Sequence, residues 1–183
     1  MRNPERNTPK NGKLIISPAD GRIIKIQKYD IEDTEAWIDK GNFGRIKTSL
    51  NEISKKGYII SIFMSPFDVH YNRSPIEGVI KKITYKSGKF IATNCFHRAW
   101  IENEKNEFII ENKKLKIKVI QIAGLLARRI ECLTKKGQKV KAGERIGLIN
   151  LGSQCTLIVP DKIKIKVSQG QKVKAGETIL GEI

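Results

Sequence analysis

Short apolar segments dominate the chain, in which β-branched and other hydrophobic residues alternate with polar ones or run together. LIISP, YIISIFMSP, KLKIKVIQIAG and DKIKIKVSQG are the clearest examples, and their length is typical of strands rather than helices. The run KIKIKV at 162–167 alternates strictly, which predicts a strand with one solvated, basic face. A weaker helical period at 30–39 and 124–130 predicts short helices there.

Two pairs of internal repeats extend this picture. GQKVKAGE occurs at 137–144 and again at 170–177, and SPADGRIIKI at 17–26 is echoed by SPIEGVIKKI at 74–83. Each unit joins a Pro/Gly turn to a short strand. We therefore predict a mainly β fold: one compact domain over 14–183 with barrel-sandwich-hybrid-like (biotinyl/lipoyl-like) repeats and few short helices, preceded by a polar N-terminal arm at 1–13.

The paired GQKVKAGE units resemble the half-motifs of biotinyl and lipoyl carrier domains. In those domains, the lysine that carries the cofactor sits on the turn between the two halves. Here the corresponding gap contains Gly152, Ser153 and Gln154, and the next lysine is Lys162. The repeats therefore predict a scaffold that presents a serine, and a non-catalytic carrier or adaptor module is the alternative.

The net charge of the chain gives a weaker indication of its function and binding partners than the repeats do. Thirty-five Lys and Arg residues against nineteen Asp and Glu give a formal net charge of +16, and such a surface attracts nucleic acids or anionic membranes. Only 7% of residues are aromatic, without the stacking cluster that RNA-binding modules use, so no nucleic acid is expected. No apolar run is long enough to cross a bilayer. Charge alone does not choose between these partners and a surface that is merely rich in lysine. Peripheral association with the cytoplasmic face of the cell membrane is implied only by the family resemblance described below.

Cysteine and histidine usage argues against a metal site. The three cysteines, Cys95, Cys132 and Cys155, form no CxxC pair, and the chain has only two histidines. Structural zinc sites need a denser set of ligands. We expect reduced cysteines and no bound metal.

Three positions could carry chemistry. A glycine before a serine, as at Gly152–Ser153, leaves the glycine carbonyl open to attack by a neighbouring hydroxyl. His70, in SPFDVHYNRSP, lies in a loop bracketed by prolines and could serve as a base near neutral pH. Asp20, beside Gly21, is either an ordinary turn residue or the carboxylate that orients His70. The second histidine, His97, is interpreted as a surface or packing residue.

Together these segments resemble the phosphatidylserine decarboxylase proenzymes, in their short archaeal-type subgroup. The resemblance rests on SPADGRI, SPFDVHYNRSPIEG, QIAGLLARRI, GERIGLINLGS and the closing GQKVKAGETILGEI, and RNPER near the start is similar to a segment of that subgroup. The matches follow one another in order over nearly the whole chain.

The resemblance implies a self-processing enzyme that cleaves between Gly152 and Ser153 into chains 1–152 and 153–183. Ser153 would become a covalent pyruvoyl group, the electron sink for decarboxylation of the serine head group. The expected product is phosphatidylethanolamine, or its counterpart if the substrate is an archaeal ether lipid. His70 and Asp20 would assist, and Arg128 or Arg129 would bind the substrate's phosphate or carboxylate. A homodimer of processed protomers is also implied.

Two residues depart from the family pattern. Longer relatives carry a second histidine three positions after the first, where this chain has Arg73. His70 would then serve both cleavage and protonation. Gln154 follows Ser153 at a position where basic or hydroxyl residues are frequent, which would affect the cleavage rate.

Overall fold

The computed structural model describes residues 3–30, 35–39, 45–91, 100–124, 129–149 and 153–183. Within these ranges the regular structure consists of strands, and no helix occurs. The strands are β1 Leu14–Ile16, β2 Gly21–Asp30, β3 Glu35–Asp39, β4 Arg45–Ser49, β5 Lys56–Met64, β6 Tyr71–Arg73, β7 Gly78–Lys86, β8 Lys89–Ile91, β9 Trp100–Glu102, β10 Lys105–Glu111, β11 Lys116–Ile122, β12 Ile130–Cys132, β13 Lys139–Val140, β14 Arg145–Ile149, β15 Ser153–Pro160, β16 Lys164–Ile165, β17 Lys172–Val173 and β18 Ile179–Glu182.

An antiparallel sheet of eight strands forms the centre of the molecule, in the order β13-β7-β10-β11-β15-β5-β2-β17. Strand β15 lies in its middle, and all eight of its residues are buried. Side chains alternate between the faces of a sheet. Accordingly, Leu157 and Val159 belong to the larger apolar core, and Ile158 belongs to a second, smaller core on the other face. Both faces of the central strand are covered, and its second half, LIVP at 157–160, is accordingly an unbroken apolar run.

The repeats form equivalent strand pairs at the two opposite edges of this sheet. The first GQKVKAGE supplies β13, which pairs with β7 of SPIEGVIKKI, and the second supplies β17, which pairs with β2 of SPADGRIIKI. Each copy opens and closes on glycines with positive φ, the conformation that glycine adopts without penalty. The matching backbone hydrogen bonds are Gly137 N to Ile80 O (2.8 Å), Gly170 N to Ile23 O (2.7 Å), Gly143 N to Ser74 O (2.8 Å) and Gly176 N to Ser17 O (2.9 Å).

Three smaller sheets complete the fold: β1-β18-β16, β12-β14-β6 and β3-β4-β9-β8. The mainly β prediction is confirmed. The helix predicted at 30–39 is wrong in its described part, because residues 35–39 form β3 and pair with β4. Pairing with β4 determines the structure of this short segment, and its weak helical period did not predict it. The helix predicted at 124–130 falls mostly outside the described residues, and Ile130 begins strand β12.

The run KIKIKV forms a regular strand only at Lys164–Ile165. Its three lysines are exposed and Ile163 is buried, so the predicted basic, solvated face is present although the strand is short.

Candidate active site

Ser153 is the first residue of β15 and lies opposite Met64 of β5 in the central sheet. Its side chain is fully buried, and its hydroxyl donates a hydrogen bond of 3.6 Å to the Met64 sulfur. A thioether is a weak acceptor. The Ser153 proton is therefore held by an interaction that a stronger base can replace.

His70 follows β5 in the loop that leads into β6, and it is buried. Its carbonyl accepts a hydrogen bond from Ile149 N (3.2 Å), which places His70 beside the end of β14, four residues before Ser153 in sequence. Burial lowers the pKa of His70, and a hydrogen bond to the Asp68 backbone with the charges of Asp68 and Asp20 opposes this only in part. The Nε2 atom has no hydrogen-bond partner within the described part of the chain. A buried, neutral imidazole with a vacant nitrogen is suited to accept a proton.

Asp20 lies in the turn before β2, and the same turn contacts β6. Pro18 O accepts hydrogen bonds from Arg73 N (2.9 Å) and from the Asn72 side chain (3.3 Å). The Asp20 carboxylate itself is held by Arg6, at 2.9 and 2.8 Å, and by Ala175 N at 2.7 Å. The fold thus brings Asp20 close enough for its charge to raise the pKa of His70. The Asp20 oxygens themselves accept hydrogen bonds from Arg6 and Ala175 N.

A buried chain of amides, which sequence reasoning missed, begins beside Ser153. The Asn72 amide lies 3.7 Å from the Met64 sulfur that Ser153 contacts. Gln121 donates to Asn72 Oδ1 at 2.9 Å and accepts from Asn106 at 3.3 Å. All three amides are buried, and isolated Asn and Gln codes in strand segments give no signal of such burial. They supply polar contacts inside an otherwise apolar core.

Gly147 makes room for this chain. A β-carbon at this position would lie 2.5 Å from Gln121 Nε2, well inside the contact distance. Gly147, the second glycine of GERIGLI, is therefore required because the Gln121 side chain from β11 packs against it.

The remaining predicted residues are placed as follows. Gly152 and Arg128 lie outside the described residues, as do His97 and Cys95. Arg129 is exposed and lies just ahead of β12. Cys132 is exposed and Cys155 is buried, and both are free thiols. Burial raises the pKa of the Cys155 thiol, which keeps it protonated.

Two features of the described residues bear on other kinds of function. No group of three or more His, Cys, Asp or Glu side chains there is arranged to hold a metal ion. In the same ranges, no helix has the length and apolar character needed to span a bilayer.

Comparison with known proteins identifies the family of this chain. A model of the phosphatidylserine decarboxylase family matches residues 1–181. The phosphatidylserine decarboxylase proenzyme of Wolbachia pipientis wMel is 43% identical over 184 residues, which cover 100% of this chain and 74% of that protein. The proenzyme of Chlorobium phaeobacteroides is 41% identical over 181 residues, covering 99% of this chain and 76% of that protein.

A third relative, the proenzyme of Syntrophus aciditrophicus, is 42% identical over 169 residues, or 92% of this chain and 70% of that protein. Each match extends across Ser153, His70 and Asp20, and the family model covers nearly every residue. The chain therefore belongs to the phosphatidylserine decarboxylase family.

Proposed function

We propose that this protein decarboxylates phosphatidylserine with a pyruvoyl group that it makes by cutting its own backbone between Gly152 and Ser153. Family membership over residues 1–181 supports the decarboxylase activity. The self-processing step is supported by the position of Ser153: it begins the central strand, and its buried hydroxyl donates to the Met64 sulfur, a weak acceptor.

In the processing step, the Ser153 hydroxyl attacks the Gly152 carbonyl and His70 Nε2 accepts its proton. The protonated His70 returns this proton to the Ser153 nitrogen as the peptide C–N bond breaks and an ester forms, in an N-to-O acyl shift. Loss of the Ser153 α-proton then expels the Gly152 carboxylate and leaves dehydroalanine. Hydrolysis releases ammonia and gives a pyruvoyl group at the start of the chain 153–183. His70 is suited to these transfers because its burial favours the neutral imidazole.

The residues around Ser153 fit such a group. The pyruvoyl carbonyl, when formed, supplies an electron sink for loss of CO₂. The Asn72 amide, which reaches the Met64 sulfur beside Ser153, is a donor close to that position. His70 Nε2 is buried and has no hydrogen-bond partner among the described residues, so it can hold the proton needed after decarboxylation. We assign that protonation to His70 as well, because Arg73 stands where longer relatives have a second histidine.

We also propose that the enzyme works at the surface of an anionic membrane, on its cytoplasmic side. The net charge of +16 favours such a surface by about 1 kcal/mol for each well-placed Lys or Arg. Phe67, three residues before His70, is 85% exposed, and an exposed aromatic beside the site can insert at the level of the head groups. Arg128 and Arg129 are proposed as substrate ligands, and a homodimer as the assembly. Co-sedimentation with phosphatidylglycerol vesicles tests the membrane association, and light scattering tests the homodimer.

The self-processing mechanism is tested by intact-mass spectrometry under denaturing conditions. The parent protein should separate into residues 1–152 and a 31-residue chain, 153–183, that resists Edman sequencing because its first residue is a ketone. Ser153→Ala should remain one chain without decarboxylase activity. An uncleaved parent that releases CO₂ from phosphatidylserine would contradict the proposal.

A further inference from the structure

The N-terminal arm contributes a buried arginine to the surroundings of the candidate site. We propose that Arg6 is a positioning residue: it fixes the Asp20 carboxylate, and through Asp20 the state of His70, so that the arm is a working part of the self-processing centre. This inference rests on the function proposed above. It assigns a role to a residue that sequence analysis placed in an appendage.

The contact between Arg6 and Asp20 is close and shielded from water. Arg6 Nη2 lies 2.9 Å from Oδ1 and 2.8 Å from Oδ2 of Asp20, and the two side chains are only 7% and 13% exposed. Ala175 N donates a further bond to Oδ1. These donors fix the rotation of the carboxylate, and ion pairs in such surroundings are screened little by salt.

The arm is anchored on both sides of Arg6, which keeps the guanidinium in place. Arg73 donates to Pro4 O at 3.0 Å and to Gly143 O at 2.8 Å. Asn7 N donates to the Glu177 carboxylate at 3.2 Å, and Arg6 Nη1 lies 3.6 Å from the same carboxylate. The arm therefore bridges both copies of GQKVKAGE, one through Gly143 and the other through Glu177.

The charges around Asp20 and His70 indicate what Arg6 changes. The charge of Asp68, in the same loop as His70, raises the pKa of His70, and so does the charge of Asp20 in the turn before β2. Arg73 on β6 links this group to further charges: those that act on its guanidinium are Arg145 on β14, Arg6 on the arm, Asp20, and Glu177 in the second repeat. Without Arg6, Asp20 loses its cation and keeps Ala175 N. Its negative charge then acts on His70 with less compensation, and its orientation is free to change.

The first experiment is an NMR titration, which does not depend on self-cleavage. It uses the full-length chain with Ser153→Ala, whose two histidines are assigned with His97→Gln. Arg6→Ala should raise the pKa of His70 by about half a unit or more, because a charge at this range acts through a partly buried path. Arg6→Lys, which restores the cation, should return it towards the parent value.

A double-mutant comparison shows whether Arg6 acts through Asp20. When Asp20→Asn is already present, adding Arg6→Ala should leave the His70 titration unchanged, because the carboxylate that Arg6 holds is gone. Arg22→Ala is the matched control. Arg22 is an exposed arginine that donates a hydrogen bond to Gly170 O, and its loss should not change the pKa of His70. An unshifted titration in Arg6→Ala, or an equal shift with and without Asp20, overturns the proposal.

The second experiment measures the self-cleavage rate with Ser153 present. Arg6→Ala should slow cleavage roughly tenfold or more, since small errors in positioning cost rate steeply. Arg6→Lys should recover part of the loss, and Arg22→Ala should stay within about twofold of the parent. Thermal unfolding of each variant identifies any that fails to fold. A parent that is never cleaved refutes the proposed function, whereas a cleaved parent with an equally fast Arg6→Ala refutes only the role of Arg6.

Discussion

At the scale of single residues, the protonation state of His70 governs the proposed cleavage. Because burial lowers the pKa of His70, the imidazole becomes protonated at a lower pH than an ordinary histidine, whose pKa is about 6.5. The neutral imidazole therefore predominates at neutral pH. We predict a cleavage rate that falls to half of its maximum at a pH below 6.5, measured by intact mass against time.

The other histidine provides the control for this pH profile. His97→Gln should leave the profile unchanged, and His70→Gln should slow cleavage by about 100-fold or more, the usual contribution of a general base. A profile whose midpoint lies above pH 6.5 would contradict the assignment of a desolvated His70 as the base.

Gly147 is a residue whose importance lies in packing. We predict that Gly147→Ala lowers the free energy of unfolding by about 1–3 kcal/mol, the usual cost of overpacking a core, because the new methyl group would meet the Gln121 amide. Urea denaturation measures this difference. Gly12→Ala is the control, since no atom lies within 4 Å of a β-carbon at that position. Equal stabilities of the two variants would show that Gln121 moves aside without cost.

At the scale of the elements, Lys118 of β11 is fully buried in a network of opposite charges. Its Nζ lies 2.6 Å from the Glu52 carboxylate and 3.3 Å from that of Glu107, and it donates to Ser49 O at 2.7 Å. Burial raises the pKa of Glu52, but bonds from Lys118 and Lys82 outweigh it and leave the pKa below its ordinary value. The network ties β10 and β11 to the segment after β4.

We predict that Lys118→Met costs about 1–3 kcal/mol of unfolding free energy, because the Glu52 and Glu107 carboxylates each lose one of two cations, and Lys82 and Lys105 remain. Lys166→Met is the control: the pair of Lys166 with Glu182 is only slightly longer, at 2.9 Å, but both side chains are about 40% exposed, so its loss should cost about 0–1 kcal/mol. Chemical denaturation at neutral pH compares the two. A loss below 1 kcal/mol in Lys118→Met would mean that the carboxylates find other partners.

Lys118 also shows where sequence patterns stop being informative. The strands were predictable because Ile and Val alternate or cluster at strand spacing, and because Gly and Pro mark the turns. The burial of a lysine was not, since KLKIKV and KIKIKV have the same alternation. One lies in the covered centre of the large sheet, and the other forms a short strand at the surface. Only the pairing of distant strands distinguishes them.

At the scale of the whole molecule, the candidate site also combines features that local sequence patterns predict with contacts between distant segments that they do not. Ser153, His70 and Asp20 could be predicted because each stands in a motif of its own: a Gly-Ser pair, a proline-bracketed histidine and a turn aspartate. The links from Arg6 to Asp20 and from Asn72 to Gln121 were missed. They join segments that become neighbours only when the arm docks and the sheets close, and no local pattern records such contacts.

The central place of β15 leads to a last prediction, about the protein after cleavage. The small chain, 153–183, would supply β15 to β18. Strand β15 pairs along its length with β5 and with β11, β17 pairs with β2, and β18 lies between β1 and β16. Cutting the bond before Ser153 removes none of these ladders and exposes none of the eight buried residues of β15, so apolar burial alone should hold the chains together.

We therefore expect the processed chains to elute together from gel filtration, at the position of uncleaved Ser153→Ala, and to separate only in denaturant. Once unfolded, the two chains should reassemble in a concentration-dependent way, because association of separate molecules replaces the folding of one. Loss of the small chain on a native column would contradict this expectation. It would mean that the backbone bond, and not the sheet, keeps β15 in place.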